Sequence, residues 1–202
     1  VRGPGSVLYG SDAVGGTVNA LTLEPPAYED APGWERRLYY RGASAERSHI
    51  GRIQLGSRPT EEIGLVGGLS VKDFGDLEGG KEVGRQSHTG YQELDYDAKL
   101  NWTPSDRTSL TLAHQAVEQD DAWRTHRTIY GIVWEGLTQG DDKEHILDQE
   151  RNLTYLRLKT DELGGWFDGV AVTLSRQVQE EDVFRLRKDD TSDTQGFDVT
   201  TW

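Results

Sequence analysis

The sequence predicts an all-β chain. It reads as an antiparallel meander of about eight strands, each with one apolar and one charged face, forming part of the wall of a transmembrane β-barrel. Two observations predict this. Hydrophobicity alternates with period two over runs long enough to cross a bilayer as strands, about 9–11 residues. The connections between those runs alternate in length, short then long, along most of the chain. In a meander, successive connections fall at opposite ends of the sheet. One end should therefore carry only tight turns and the other long polar loops, as in outer-membrane barrels.

Residues 1–24 are the most patterned stretch. Gly3, Gly5, Gly10, Gly15 and Gly16 crowd together, with Pro4 between the first two. Glycine permits positive φ and close backbone approach, and proline fixes φ, so this is a segment of tight turns. Thr17–Leu21 has the residue types of a strand. A phosphate loop does not fit: Gly3 and Gly5 would begin GxGxxG, but Leu8 stands where the third glycine belongs, and no Gly-Lys-Ser/Thr follows.

Taken in order, Arg2-Gly3-Pro4, Tyr9-Gly10, Gly15-Gly16 and Val18-Asn19 resemble the end of the plug domain of TonB-dependent outer-membrane receptors. The resemblance covers roughly a tenth of the chain. It implies the C-terminal end of a plug over 1–24, a Pro-rich linker over 25–33 and the first strands of an outer-membrane β-barrel over 34–202, about 7–8 strands of a barrel of about 22. It further implies energised uptake of a scarce nutrient of the iron-siderophore, haem or cobalamin class across the outer membrane of a Gram-negative cell. The implied partners are the TonB complex of the inner membrane and outer-membrane lipid. The chain contains no Met and is expected to be a piece of a longer protein, unable by itself to close a barrel or to transport.

Pro25, Pro26, Pro32 and Gly33 make 25–33 non-helical. Strands are expected over 34–43, 49–57, 63–71, 93–102, 109–116, 152–160, 170–175 and from 197 onward. The clearest is the fourth, with Leu94, Tyr96, Ala98, Leu100 and Trp102 on one face and Glu93, Asp95, Asp97, Lys99 and Asn101 on the other. Short connections are expected at 58–62, 104–107 and 161–165, and long ones at 75–90, 119–149 and 179–194. The first connection, near 45–48, is short where a long one is due. Trp102 and Trp166 flank the short-turn end, where an interfacial aromatic girdle would lie.

Composition narrows function. With 35 Asp and Glu against 22 Lys and Arg, the net charge of −13 excludes a nucleic-acid footprint. The absence of cysteine excludes disulfides, thiolate metal sites and cysteine nucleophiles. His49, His88, His114, His126 and His145 show no HxxxH spacing, so no metal site is expected. Asp120, Asp121, Asp141 and Asp142 do not form an EF-hand and read as a solvated acidic loop. Glu93, Asp95 and Asp97 share a strand face, yet nothing beside them completes a catalytic pocket, so the chain is not expected to be an enzyme and no cofactor is expected. Their expected partners are plug arginines such as Arg2, held by charge-assisted bonds. In the long loop, Arg124, His126, Tyr130 and Trp134 are the candidate ligand-binding residues, since Tyr and His ligate haem iron and Arg suits carboxylates. The rival reading is a soluble extracellular all-β ligand- or carbohydrate-binding domain, in which the apolar faces would meet in a core.

Overall fold

The computed structural model describes residues 22–28, 33–133, 135–164 and 166–202. From Trp34 onward these form a single eight-stranded antiparallel sheet in strict sequence order, open at both edges. The strands are β1 Trp34–Ala43, β2 Ser48–Ser57, β3 Ile63–Phe74, β4 Tyr91–Ser105, β5 Thr108–Trp123, β6 Asp142–Asp161, β7 Gly169–Arg187 and β8 Ser192–Thr201. A one-turn 3-10 helix at Thr125–Arg127 is the only helix among the described residues. No described helix is long and apolar enough to cross a membrane.

At the lower end of the sheet lie the connections 58–62, 106–107 and 162–168. At the upper end lie 44–47, 75–90, 124–141 and 188–191. Two upper connections are long and two are tight turns. The first, 44–47, is short as expected; the last departs from expectation, because the predicted loop 179–194 is strand for most of its length. The predicted loop 119–149 likewise shrinks to 124–141. Around Gln179–Asp182 both faces are polar, and farther up Ile146 and Leu147 sit side by side without alternating, yet backbone pairing runs on unbroken from Glu144↔Leu186 to Asp161↔Gly169. The β4–β5 turn is the tightest. A bulge between Trp102 and Ser105 absorbs Pro104, which has no N–H to give to the ladder.

The register sorts side chains cleanly onto two faces. One carries Ile53 and Leu55, then Ile63, Leu65, Leu69 and Val71, then Leu100 and Trp102, Leu110 and Leu112, Leu156 and Leu158, and Val170, Val172 and Leu174. Leu38 of β1 joins them opposite Ile53, and most of these side chains are exposed, reaching 82% for Leu38 and 67% for Leu174. The other face carries the charges and is the more covered. Lys99 is only 7% exposed there, and Val66, Ser70 and Ala113 are buried beside it. Residues 22–26 run across β2–β4 on this face and cover Lys99.

The apolar band drifts along the sheet. On β3 it spans Ile63–Val71, centred on Gly67. In register with Gly67 across the next strands are Ala98, His114, Thr154 and, on β7, Arg176. The β7 band, Val170–Leu174, is centred four residues below Arg176. Four residues over four strand steps, at about 3.4 Å per residue and about 4.8 Å between strands, is a tilt of about 35°. The β3 band then stands about 22 Å high along the tilted axis.

Candidate functional site

On the charged face, β2, β3 and β4 interlock. Asp97 cannot reach β2, but Arg52 can reach Asp97: its guanidinium passes over β3 and donates to the Asp97 Oδ1 at 2.6 Å and to Ser70 Oγ at 2.9 Å. It crosses at Gly68, where a Cβ would collide with the guanidinium. Lys72 of β3 lies opposite Glu93 and donates to it, and to Asp95 Oδ2 at 2.5 Å. Gln119 of β5 donates to the remaining Glu93 oxygen at 2.5 Å. Glu93, Asp95 and Asp97 thus find partners on neighbouring strands. Arg2, expected to pair with them, lies outside the described residues, as do Gly3, Pro4, Tyr9, Gly10, Gly15, Gly16 and Asn19.

Thr22–Pro26 lies across this face as a strap. Lys99 Nζ donates to Glu24 Oε1 at 2.7 Å and to Thr22 Oγ1 at 2.6 Å, and Asn101 Nδ2 donates to the other Glu24 oxygen at 2.9 Å. Pro25 sits on Gly64 and Pro26 on Gly56, both too close to admit a Cβ without displacement. Arg58 closes the strap by donating to the Pro26 carbonyl at 3.0 Å. Burial pulls the Glu24 carboxyl upward, but the Lys99 and Asn101 hydrogen bonds and the Lys99 charge outweigh it and hold Glu24 below the ordinary glutamate range. Beside the strap is a cavity of about 310 Å³ lined by Thr22, Leu23, Arg52, Asp97, Lys99 and Gln115 among others.

The upper end joins its loops to one another. The Glu78 N–H donates to the Ala45 carbonyl at 2.7 Å, tying loop 75–90 to the first turn. Within that loop, burial pulls Asp76 upward, but the Thr89 N–H at 3.2 Å and the Arg85 guanidinium at 3.1 Å outweigh it and hold the carboxyl low. Loop 75–90 meets loop 124–141 through three rings. His88 stacks on Trp123 with centroids 4.3 Å apart and tilts against Tyr130 at 4.3 Å; Trp123 meets Tyr130 edge-on at 6.2 Å. The Thr125 hydroxyl also donates to the His88 carbonyl, and His88 itself takes a left-handed φ of 60°.

Of the four candidate ligand residues, Tyr130 enters this aromatic cluster. Arg124 and His126 are exposed, beside and within the 3-10 turn, and Trp134 lies outside the described residues. His88 and Trp123 were not singled out by sequence. The acidic residues of the same region disperse: the Asp121 N–H donates to Asp148, Asp142 pairs with His145 at 3.1 Å and lies 3.4 Å from the Arg185 guanidinium, and Asp141 lies 3.8 Å from Lys188. Among the described residues no cluster of His, Asp and Glu is arranged to hold a metal ion.

The fold and these two regions define a class: an open antiparallel meander with an exposed apolar face, a charged face bound by a strap, and joined loops at one end. Compared with known proteins, the chain matches no protein family and no curated relative.

Proposed function

We propose that the chain is part of a TonB-dependent outer-membrane receptor: the C-terminal end of the plug over 1–24, the linker over 25–33, and the first strands of the barrel from Trp34. The whole protein would take up a scarce nutrient of the iron-siderophore, haem or cobalamin class, energised by the inner-membrane TonB complex. The single observation that supports this best is the tilted apolar band. A soluble sheet hides its apolar face in a core. Here that face is exposed across the sheet, and the charged face is the one that is covered, where the strap crosses β2–β4. The band's tilt of about 35° and height of about 22 Å agree with outer-membrane barrels, whose strands tilt about 35–45° and whose apolar girdle is about 25 Å tall. Trp102 lies at the lower margin of the band, and Trp166, 99% exposed in the 162–168 turn, lies below it, as interfacial aromatics do. The charged face would line the lumen, with the strap as the chain's passage from plug to wall. The upper aromatic cluster would belong to the ligand-facing surface.

The test is uptake. A strain lacking the full-length receptor gene, complemented with it, should regain growth on one iron complex, haem or cobalamin source and lose it when the proton-motive force is collapsed. Growth unchanged on every such source would remove this reading.

A further inference from the structure

Lys99 is the best-buried charged side chain on the sheet's charged face, with 6% of it exposed, and two of its hydrogen-bond partners belong to the strap rather than the sheet. The carboxylates along its own strand on that face are already engaged. Arg52 occupies Asp97, and Lys72 occupies Glu93 and Asp95. The wall is also cut to fit the strap, since Gly64 and Gly56 provide the clearance for Pro25 and Pro26. Two successive prolines stiffen the segment, and Arg58 fastens its far end.

We infer that Thr22–Pro26 is a fixed clamp, with Lys99 as the residue that fixes it, so that any pull on the chain ahead of Thr22 is met at β4 and is not passed on to β1. This rests on the proposed function only for the origin of the pull; the clamp itself is a property of the sheet. In the receptor reading it sets the border between what the energising complex can draw away and what stays with the wall. Lys99 acts here as a positioning residue, since it touches the strap and no ligand.

The chain contains no cysteine, so Leu23→Cys gives a unique site for a nitroxide label on an exposed strap position. The label's mobility is read by electron paramagnetic resonance in the folded chain in detergent. The clamp predicts an immobilised spectrum, a severalfold gain in mobility with Lys99→Met, and a smaller gain with Glu24→Gln. Far-ultraviolet circular dichroism checks that the sheet persists. Should Lys99→Met fail to fold, Glu24→Gln carries the test alone, because that side chain is mostly exposed. A label already mobile in the otherwise unaltered chain, or one unmoved by Glu24→Gln and by a folded Lys99→Met, overturns the clamp. Uptake failure with an immobilised strap would count against the receptor reading alone; normal uptake with a mobile strap would count against the clamp alone.

Discussion

The two faces of the sheet are held in opposite ways. The apolar face has side chains in register across six strands yet, among the described residues, packs against nothing but itself. The charged face is cross-linked by Arg52–Asp97, Lys72–Glu93 and Lys72–Asp95, then covered by the strap. In water this arrangement is upside down, because hydrophobic burial, the main force for folding, is unused on the face that has most to gain from it. With hydrocarbon against the apolar face, the contrast becomes economical: lipid covers the greasy side, and the polar side supplies the specific contacts. The difference between the faces therefore says more about the surroundings of this sheet than either face does alone.

The largest effect should come from placing charge on the apolar face. Leu69→Arg puts a guanidinium near the middle of the β3 band. It should cost about 2–4 kcal/mol when the chain is folded in phospholipid vesicles, and little in a detergent-free aqueous state. Urea midpoints in the two settings measure it; equal midpoint shifts would break the contrast between the faces.

On the charged face, Arg52→Ala should cost about 1–2 kcal/mol by stranding Asp97. Gly68→Ala should cost a similar amount by obstructing the same guanidinium. The two should be strongly non-additive: once Arg52 is alanine, Gly68→Ala should be nearly free. Additive losses would mean that Gly68 matters for a reason other than the crossing.

At the upper end, His88→Ala should loosen the join between loops 75–90 and 124–141 and cost about 1 kcal/mol. Its clearer signature is a change in tryptophan emission from Trp123. An unchanged spectrum would mean that the two loops do not meet through these rings.

The strap has a pH signature. The folded carboxyl of Glu24 is lowered relative to the unfolded chain, so its contribution is fully present at neutral pH and is lost as pH falls through the lowered folded value. Strap release should therefore appear only at acid pH below the ordinary glutamate range, and the step should vanish in Glu24→Gln. A step of equal size in Glu24→Gln assigns it to another group.

The smallest effect tests the apolar face above its greasy band. Glu118, Glu150, Glu180 and Asp198 lie in register across β5–β8, like charges side by side. Glu150→Gln should stabilise by about 0.5 kcal/mol or be neutral. A clear destabilisation would show that Glu150 holds something there.

The lower two-thirds of the sheet could be read from sequence because one face is apolar and the other charged, so each strand shows a period of two. That contrast vanishes above Glu118, Glu150 and Glu180, where Gln179, Glu180, Glu181 and Asp182 are polar on both faces. Acidic composition there suggests a loop, although the backbone pairs as strand. Hydrophobic periodicity reports the difference between two environments, and it falls silent where both are alike. That Lys72, Glu93 and Asp95 share the charged face was within reach, but the loop 75–90 between β3 and β4 is too long to fix Lys72 opposite Glu93. The Lys99 clamp and the His88–Tyr130 contact were out of reach, since each joins segments whose approach depends on the whole sheet.

The central claim is that the odd-numbered positions of β3 face lipid. Single cysteines at residues 63–71 can be tested one by one in the cysteine-free chain reconstituted into vesicles, each carrying a fluorophore. A lipid-attached quencher should reach Ile63, Leu65, Leu69 and Val71, and a water-soluble quencher should reach Gly64, Val66 and Ser70 to the extent that the strap and its neighbours leave them open. The alternation should persist along the strand. Odd positions reached only by the aqueous quencher, or shielded from both quenchers as in a packed core, would contradict the account.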